Sequence, residues 1–194
     1  MIEPFLGLIV FVVLMVATPG PANLLVMIGG ARLGLRGCGG FILGLVSGKL
    51  LLNLAFGVGL AVFLTRQPTF LAVIKYVGAA YMAWLALRSW NRSASVDMDG
   101  VHFGFRHGLP VHPLNPKAWV MTVLAWTQFA PELGSFAVQF VTVPLCFAVC
   151  QLLFHSLWCW LGERMAKALP NSLFMTRSLV LLTLGVVIWA LAQE

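Results

Sequence analysis

The sequence predicts an all-α integral membrane protein. Six transmembrane helices are expected, arranged as two inverted three-helix repeats, with helices one and four broken at prolines. Three observations predict this. The 194 residues are 60% hydrophobic and 9% charged, where a soluble domain carries about 25% charged residues. Two apolar segments are interrupted by paired prolines, at 18–23 and 112–118. Basic residues favour alternate loops, as they do in chains oriented in a bilayer.

Span one covers roughly 5–31 and carries no charge. It is long enough to cross a bilayer, which takes about 20 residues. It is too long for a signal peptide and lacks the basic start of one, so it reads as a retained span. Arg32 and Arg36 follow, in a turn with Gly34, Gly37, Gly39 and Gly40. Span two, about 40–64, is interrupted only by Lys49. Its Gly44, Gly48, Gly57 and Gly59 suit close helix approach, and this small-residue face is compatible with a homodimer. After Arg66-Gln67-Pro68, span three runs about 69–88 and contains Lys75. The polar stretch from Arg88 to His107 looks like a cytoplasmic connector, with Arg92, Asp97, Asp99, His102 and Arg106. Span four is about 109–130, followed by Pro131-Glu132. Span five is about 136–161, and the loop from Glu163 to Lys167 leads through Pro170 to Arg177. Span six, 178–193, is short: at 1.5 Å per residue it covers about 24 Å. A five-span layout is the structural rival. The repeats are then about 1–90 and 108–194 of a single membrane domain, joined by the connector at about 89–107.

Loop charge orients the chain. Loops after spans one, three and five carry Arg32 and Arg36, then Arg88, Arg92 and Arg106, then Arg164, Lys167 and Arg177. Loops after spans two and four carry only Arg66 and Glu132. The positive-inside rule makes the first set cytoplasmic and places both termini outside. The two halves thus enter the membrane from opposite sides.

The breaks carry the functional reading. Residues 18–23 read Thr-Pro-Gly-Pro-Ala-Asn, and 112–118 read His-Pro-Leu-Asn-Pro-Lys-Ala. Each proline removes a backbone donor and clashes with the carbonyl one turn back. In hydrocarbon the freed carbonyl must face protein or a wet cavity. Broken helices in corresponding places of two halves mark a transporter's substrate site. Thr18, Asn23 and Asn115 are expected to hydrogen-bond the substrate, with Gly20 letting backbone approach it. Lys49 and Lys117 lie inside apolar segments, and all six acidic residues fall in loops or termini. A cavity with fixed positive charge suits a carboxylate. Both lysines are therefore expected to meet it.

His155 is the one group deep in a span that titrates near neutral pH, which makes it a candidate for a coupling proton. His102, His107 and His112 recur every five residues, a spacing that does not gather them on one helix face, so no metal site is expected. No cofactor or nucleic-acid partner is expected, because the basic residues are scattered. Cys38, Cys146, Cys150 and Cys159 form no CxxC and read as apolar filler. Three other functions are rivals, one of them a non-transporting membrane scaffold, for which the two breaks would be wasteful. A membrane thiol–disulfide carrier would need a cysteine pair at the breaks. An ion or metal exporter would need intramembrane acids.

At these motifs the sequence resembles the LysE/RhtB family of amino-acid exporters, the LysE-type translocators. The resemblance rests on Thr18-Pro19-Gly20-Pro21 with Asn23, Gly78-Ala79-Ala80-Tyr81 ahead of Trp84-Leu85-Ala86, and Asn115-Pro116-Lys117-Ala118. It covers essentially the whole chain. It implies export of amino acids or related small metabolites across the bacterial cytoplasmic (inner) membrane, proton coupling, and alternating access between two halves. It also assigns Pro19, Gly20, Pro21 and Asn23 to the first break, and Asn115, Pro116 and Lys117 to the second. One departure matters: family members often carry an aspartate where this chain has Lys49, which implies a different coupling or a more acidic substrate.

Overall fold

Pairs of breaks and turns set the architecture. A computed structural model describes residues 2–59, 66–90, 103–170 and 172–192. Among them the chain is all-helical: α1 (Ile2–Ala17), α2 (Pro21–Gly57), α3 (Pro68–Leu87), α4 (Phe105–Gly108), α5 (Pro116–Leu124), α6 (Phe136–Ala168) and α7 (Leu173–Ala192). A π turn, Ala125–Phe129, and a 3₁₀ turn, Ala130–Leu133, extend α5. By length and composition α2, α3, α6 and α7 are able to cross a membrane. Large apolar side chains face outward, as at Leu14 on α1, Val141 on α6 and Phe174 on α7, so the exterior is suited to lipid.

Span one is broken where the prolines predict. α1 stops at Ala17, and α2 starts at Pro21, the first-turn position where a missing N–H costs nothing. Both pieces pack along α6: Ala17 meets Trp158, Asn23 meets His155 and Gly30 meets Cys159. The expected glycine-rich loop is far tighter than read. Only Gly34 leaves helical geometry, with φ 67° and ψ 174°, a conformation that favours glycine. There the chain reverses. Residues 35–57 return antiparallel to α6, pairing Leu35 with Glu163, Lys49 with Phe147 and Gly57 with Phe140.

Three boundaries shift from the sequence reading. α6 continues to Ala168, so Glu163, Arg164 and Lys167 are helical rather than loop. Glu163 ties that end down by accepting Leu35 N–H (2.8 Å) and pairing with Lys167 (2.5 Å). α7 begins at Leu173 and has 20 residues, about 30 Å at 1.5 Å each. It is long enough to span, because Arg177 sits inside the helix with its guanidinium over the Trp90 ring. Span four begins at α4, ahead of residue 109. The end of the expected soluble connector is core, with Phe103 buried edge-on against Phe41, centroids 5.0 Å apart. Arg92, Asp97, Asp99 and His102 lie outside the described residues.

Glycines let the helices close on one another. A Cβ at Gly30 would fall on the Cys159 carbonyl oxygen, and one at Gly162 on the Met27 carbonyl oxygen. The same reciprocity joins Gly44 to Phe105 and Gly108 to Phe41. Close backbone approach through small residues replaces the hydrophobic drive that is missing in lipid. Gly30→Leu should therefore lower the melting temperature in detergent by roughly 5–10 °C or prevent accumulation, from overpacking. Gly39→Leu, with nothing within 4 Å of its Cβ position, should stay within about 2 °C. Equal behaviour of the two variants would contradict the packing.

Candidate functional site

The first break leaves carbonyls without helical partners, and each finds another. Leu14 O keeps its helical partner, Thr18 N (3.3 Å), and the first freed carbonyl, Met15 O, accepts from Thr18 Oγ1 (3.0 Å). The Asn23 amide nitrogen donates to Val16 O (2.8 Å) and Thr18 O (2.9 Å). Trp158 Nε1 donates to Ala17 O (3.3 Å). Both amide protons of Asn23 are thus committed to backbone.

The second break is built alike. After α4 the chain turns through 109–114. His112 O accepts from Asn115 N (3.1 Å), and Pro113 O accepts from Trp119 Nε1 (2.7 Å). Asn115 caps α5 by accepting Lys117 N–H on its side-chain oxygen (3.0 Å), with Pro116 in the first turn. An indole N–H therefore serves a freed carbonyl at each break.

Both breaks border one pocket of about 310 Å³, a volume that includes its opening to solvent. Of the residues singled out by sequence, Gly20, Asn23, Asn115, Lys117 and His155 line it. Lys117 bridges the breaks, donating to Thr18 Oγ1 at 2.8 Å and passing Thr18 O at 3.4 Å. Its ammonium lies over Gly20, 3.4 Å from where a Cβ would stand. Pro19, Pro21 and Pro116 shape the backbone and do not line the pocket. Met15, Val16, Ala22, Ala118 and Met121 supply apolar wall. Among the described residues no acidic side chain and no cysteine lines it.

Lys49 lies apart from the pocket wall, completely buried. Its ammonium donates to Ala118 O (2.9 Å) and Thr122 Oγ1 (2.5 Å), and sits 4.1 Å from the centroid of the Phe147 ring. Thr122 in turn donates to Ala118 O (2.8 Å). An ammonium placed so deep without a carboxylate needs such partners to offset lost hydration. Lys75 is half-buried on α3, away from the pocket.

Two pocket residues, His112 and Gln151, are given no role at the pocket by the sequence reading. Buried His112 and His155 face each other, Nε2 to Nε2 at 3.3 Å. Gln151 Nε2 lies 3.2 Å from His112 Nε2, and His155 Nδ1 lies 2.9 Å from Asn23 Oδ1. Gln151 and His155 stand one helical turn apart, a signal that both point the same way. His112 heads the second break itself. His107 lies elsewhere, its carbonyl accepting from Tyr81 Oη at 2.8 Å. Among the described residues no group of three or more His, Cys, Asp or Glu is placed to hold a metal.

Known proteins place this arrangement. The homoserine/homoserine lactone efflux protein of Salmonella typhi is 27% identical over 135 residues, covering 64% of this chain. The match spans 66% of that protein, just under two thirds of its length. The same-named protein of Salmonella typhimurium matches equally, at 27%. An uncharacterized membrane protein of Pseudomonas aeruginosa is 29% identical over 175 residues, covering 81% of this chain and 77% of the relative. No solved structure gives a significant match. The LysE type translocator profile matches residues 13–194, which includes both proline breaks and every residue named here around the pocket, so the chain belongs to the LysE type translocator family.

Proposed function

We propose that the protein exports an amino acid or a related carboxylate-bearing metabolite from the bacterial cytoplasm by proton-coupled alternating access. The observation that carries this reading is the joint pocket: two broken helices, one from each half, meet at the Lys117 ammonium, with no acidic side chain beside it among the described residues. A ligand carboxylate neutralises that charge, and charge-assisted hydrogen bonds of this kind are the strong ones. A metal cation is repelled by it. The name of the Salmonella relatives suggests homoserine as the first solute to try.

The contacts support six spans in two inverted halves. α1 and residues 21–33 together form span one, residues 35–57 span two, and α4 through the 3₁₀ turn span four. Position two after the break proline is held by the opposite half in both cases. Asn23 follows Pro21 and meets His155; Ala118 follows Pro116 and its carbonyl meets Lys49. Such an exchange is what a two-fold axis in the membrane plane produces. The basic ends also gather: Glu163 sits at the Gly34 turn, and Arg32 Nη1 donates to Ser89 at the end of α3 (3.1 Å). Arg32, Arg36, Arg88, Arg164 and Lys167 thus share one end, which the positive-inside rule makes cytoplasmic, with both termini outside.

In this reading Lys117 meets the carboxylate. Thr18 and Asn23 brace the breaks, and Lys49 fixes the start of α5 from behind Ala118. The test is counterflow of a panel of amino acids, homoserine included, into vesicles holding purified protein. Exchange of at least one amino acid is expected, and exchange of none refutes the proposal. Lys117→Gln should weaken apparent affinity by about ten- to a hundredfold, the worth of a hydrogen bond to a charged group. Lys49→Met should keep the melting temperature within a few degrees, since an apolar isostere replaces a buried charge without stranding Thr122. It should still slow exchange by about two- to thirtyfold, the range for residues that act without touching ligand. Unchanged exchange of every amino acid would remove Lys49 from the mechanism.

A further inference from the structure

Hydrogen-bond direction constrains the chain of groups Asn23–His155–His112–Gln151. Both amide protons of Asn23 go to backbone carbonyls, so its oxygen faces His155 as an acceptor. His155 must then carry hydrogen on Nδ1 to make the 2.9 Å contact. Its Nε2 faces His112 Nε2 at 3.3 Å. Two bare nitrogens repel there, so one proton belongs between the rings. Gln151 decides on which side. With its amide nitrogen toward His112, as placed at 3.2 Å, it donates, and His112 Nε2 is the acceptor of both neighbours. The proton between the rings then sits on His155, which is an imidazolium, and neutral His112 carries its own hydrogen on Nδ1. With the Gln151 amide turned by half a rotation, its oxygen faces an N–H on His112 Nε2. Both rings are then neutral and His112 Nδ1 is bare.

We propose that His112 and His155 act as one site for one coupling proton, taken up and released at His112 Nδ1 and exchanged against the amino group of the transported solute. This deepens, and rests on, the exporter reading above. The two states differ by a single proton. Three N–H positions are filled in the loaded pair: His155 Nδ1, the shared position and His112 Nδ1. Two are filled in the empty pair. On unloading, the shared proton passes from His155 Nε2 to His112 Nε2, and the proton on His112 Nδ1 leaves to water in the pocket.

Two further observations point the pair toward a ligand. His112 Nδ1 and Gln151 Oε1 are buried and have no hydrogen-bond partner, and both residues line the pocket. Bare His112 Nδ1 is an acceptor for a solute ammonium, whereas protonated His112 Nδ1 rejects it. The charged groups facing the pair are both cationic: Lys49 from residues 35–57 and Lys117 from α5. The α1–α2 break offers neutral Asn23, and α6 offers neutral Gln151. Among the described residues no acid lines the pocket to balance a second cation, so proton and solute ammonium exclude each other. That exclusion is what proton-for-solute exchange requires.

The experiment compares two modes of transport of radiolabelled homoserine in vesicles, counterflow and accumulation driven by a pH gradient. In His112→Gln and His155→Gln, gradient-driven accumulation should fall at least tenfold more than counterflow. Equal falls, or none, overturn the pairing. If the wild-type protein exchanges no amino acid, the exporter reading itself has failed. Nitrogen NMR of histidine-labelled wild-type protein in lipid tests the pair without a transported solute. Uptake of one proton shared by the two rings on acidification is expected. Uptake of two, or of none, overturns the proposal.

Discussion

The amide of Asn23 is the interaction on which the rest depends. Pro19 and Pro21 strip N–H groups from the middle of a span, where no lipid atom can replace them. Leaving a buried carbonyl unpaired costs about 1–3 kcal/mol, and a broken helix exposes several at once. One side chain, two residues into the next helix, closes two of these gaps. In doing so it fixes its own orientation, which fixes the tautomer of His155, which sets the proton pattern of the histidine pair. A backbone problem created by two prolines thus becomes the organising constraint of the pocket.

The two breaks solve the same problem with different means. The first is cushioned from within the span and by Trp158; the second by Asn115, Trp119 and a turn that packs glycine against backbone at Gly48 and Gly78. Each is gripped by a nitrogen-bearing side chain from another helix, His155 of α6 at the first and Lys49 of α2 at the second. Lys49 shows how a cation is tolerated in such surroundings. A carbonyl and a hydroxyl of α5 and a ring face of α6 share its charge. Lys117 differs in reaching the pocket, where its contact with Thr18 ties the breaks together.

Much of this was legible because proline chemistry is local. Thr18-Pro19-Gly20-Pro21 and Asn115-Pro116 announce a stop and a restart whatever surrounds them, and the structure breaks there. The long apolar helices and their outward faces follow from composition. Helix ends were harder to read. Charged residues at Glu163, Arg164 and Arg177 look like loop, but long side chains reach the interface or a ring face while the backbone stays helical. The glycines at 34–40 look like a loop because glycine favours turns, yet all but Gly34 serve helix packing or sit in open space. The polar network was least visible. Asn23 reads as a ligand-binding group, and only the fold shows its amide spent on Val16 and Thr18. His112, read against His102 and His107, shares no helix face with its neighbours in sequence. Its true partner lies 43 positions away.

The most direct measurement is a thermodynamic cycle on the first break. The unfolding free energy of Asn23→Leu is determined in the natural background and in Pro19→Ala/Pro21→Ala, where the restored N–H groups let the helix continue. The account predicts that the loss caused by Asn23→Leu, about 2–5 kcal/mol for two stranded carbonyls and an unpaired histidine N–H, falls by half or more once the prolines are gone. An equal loss in both backgrounds would show that Asn23 does not serve the break, and would contradict the account.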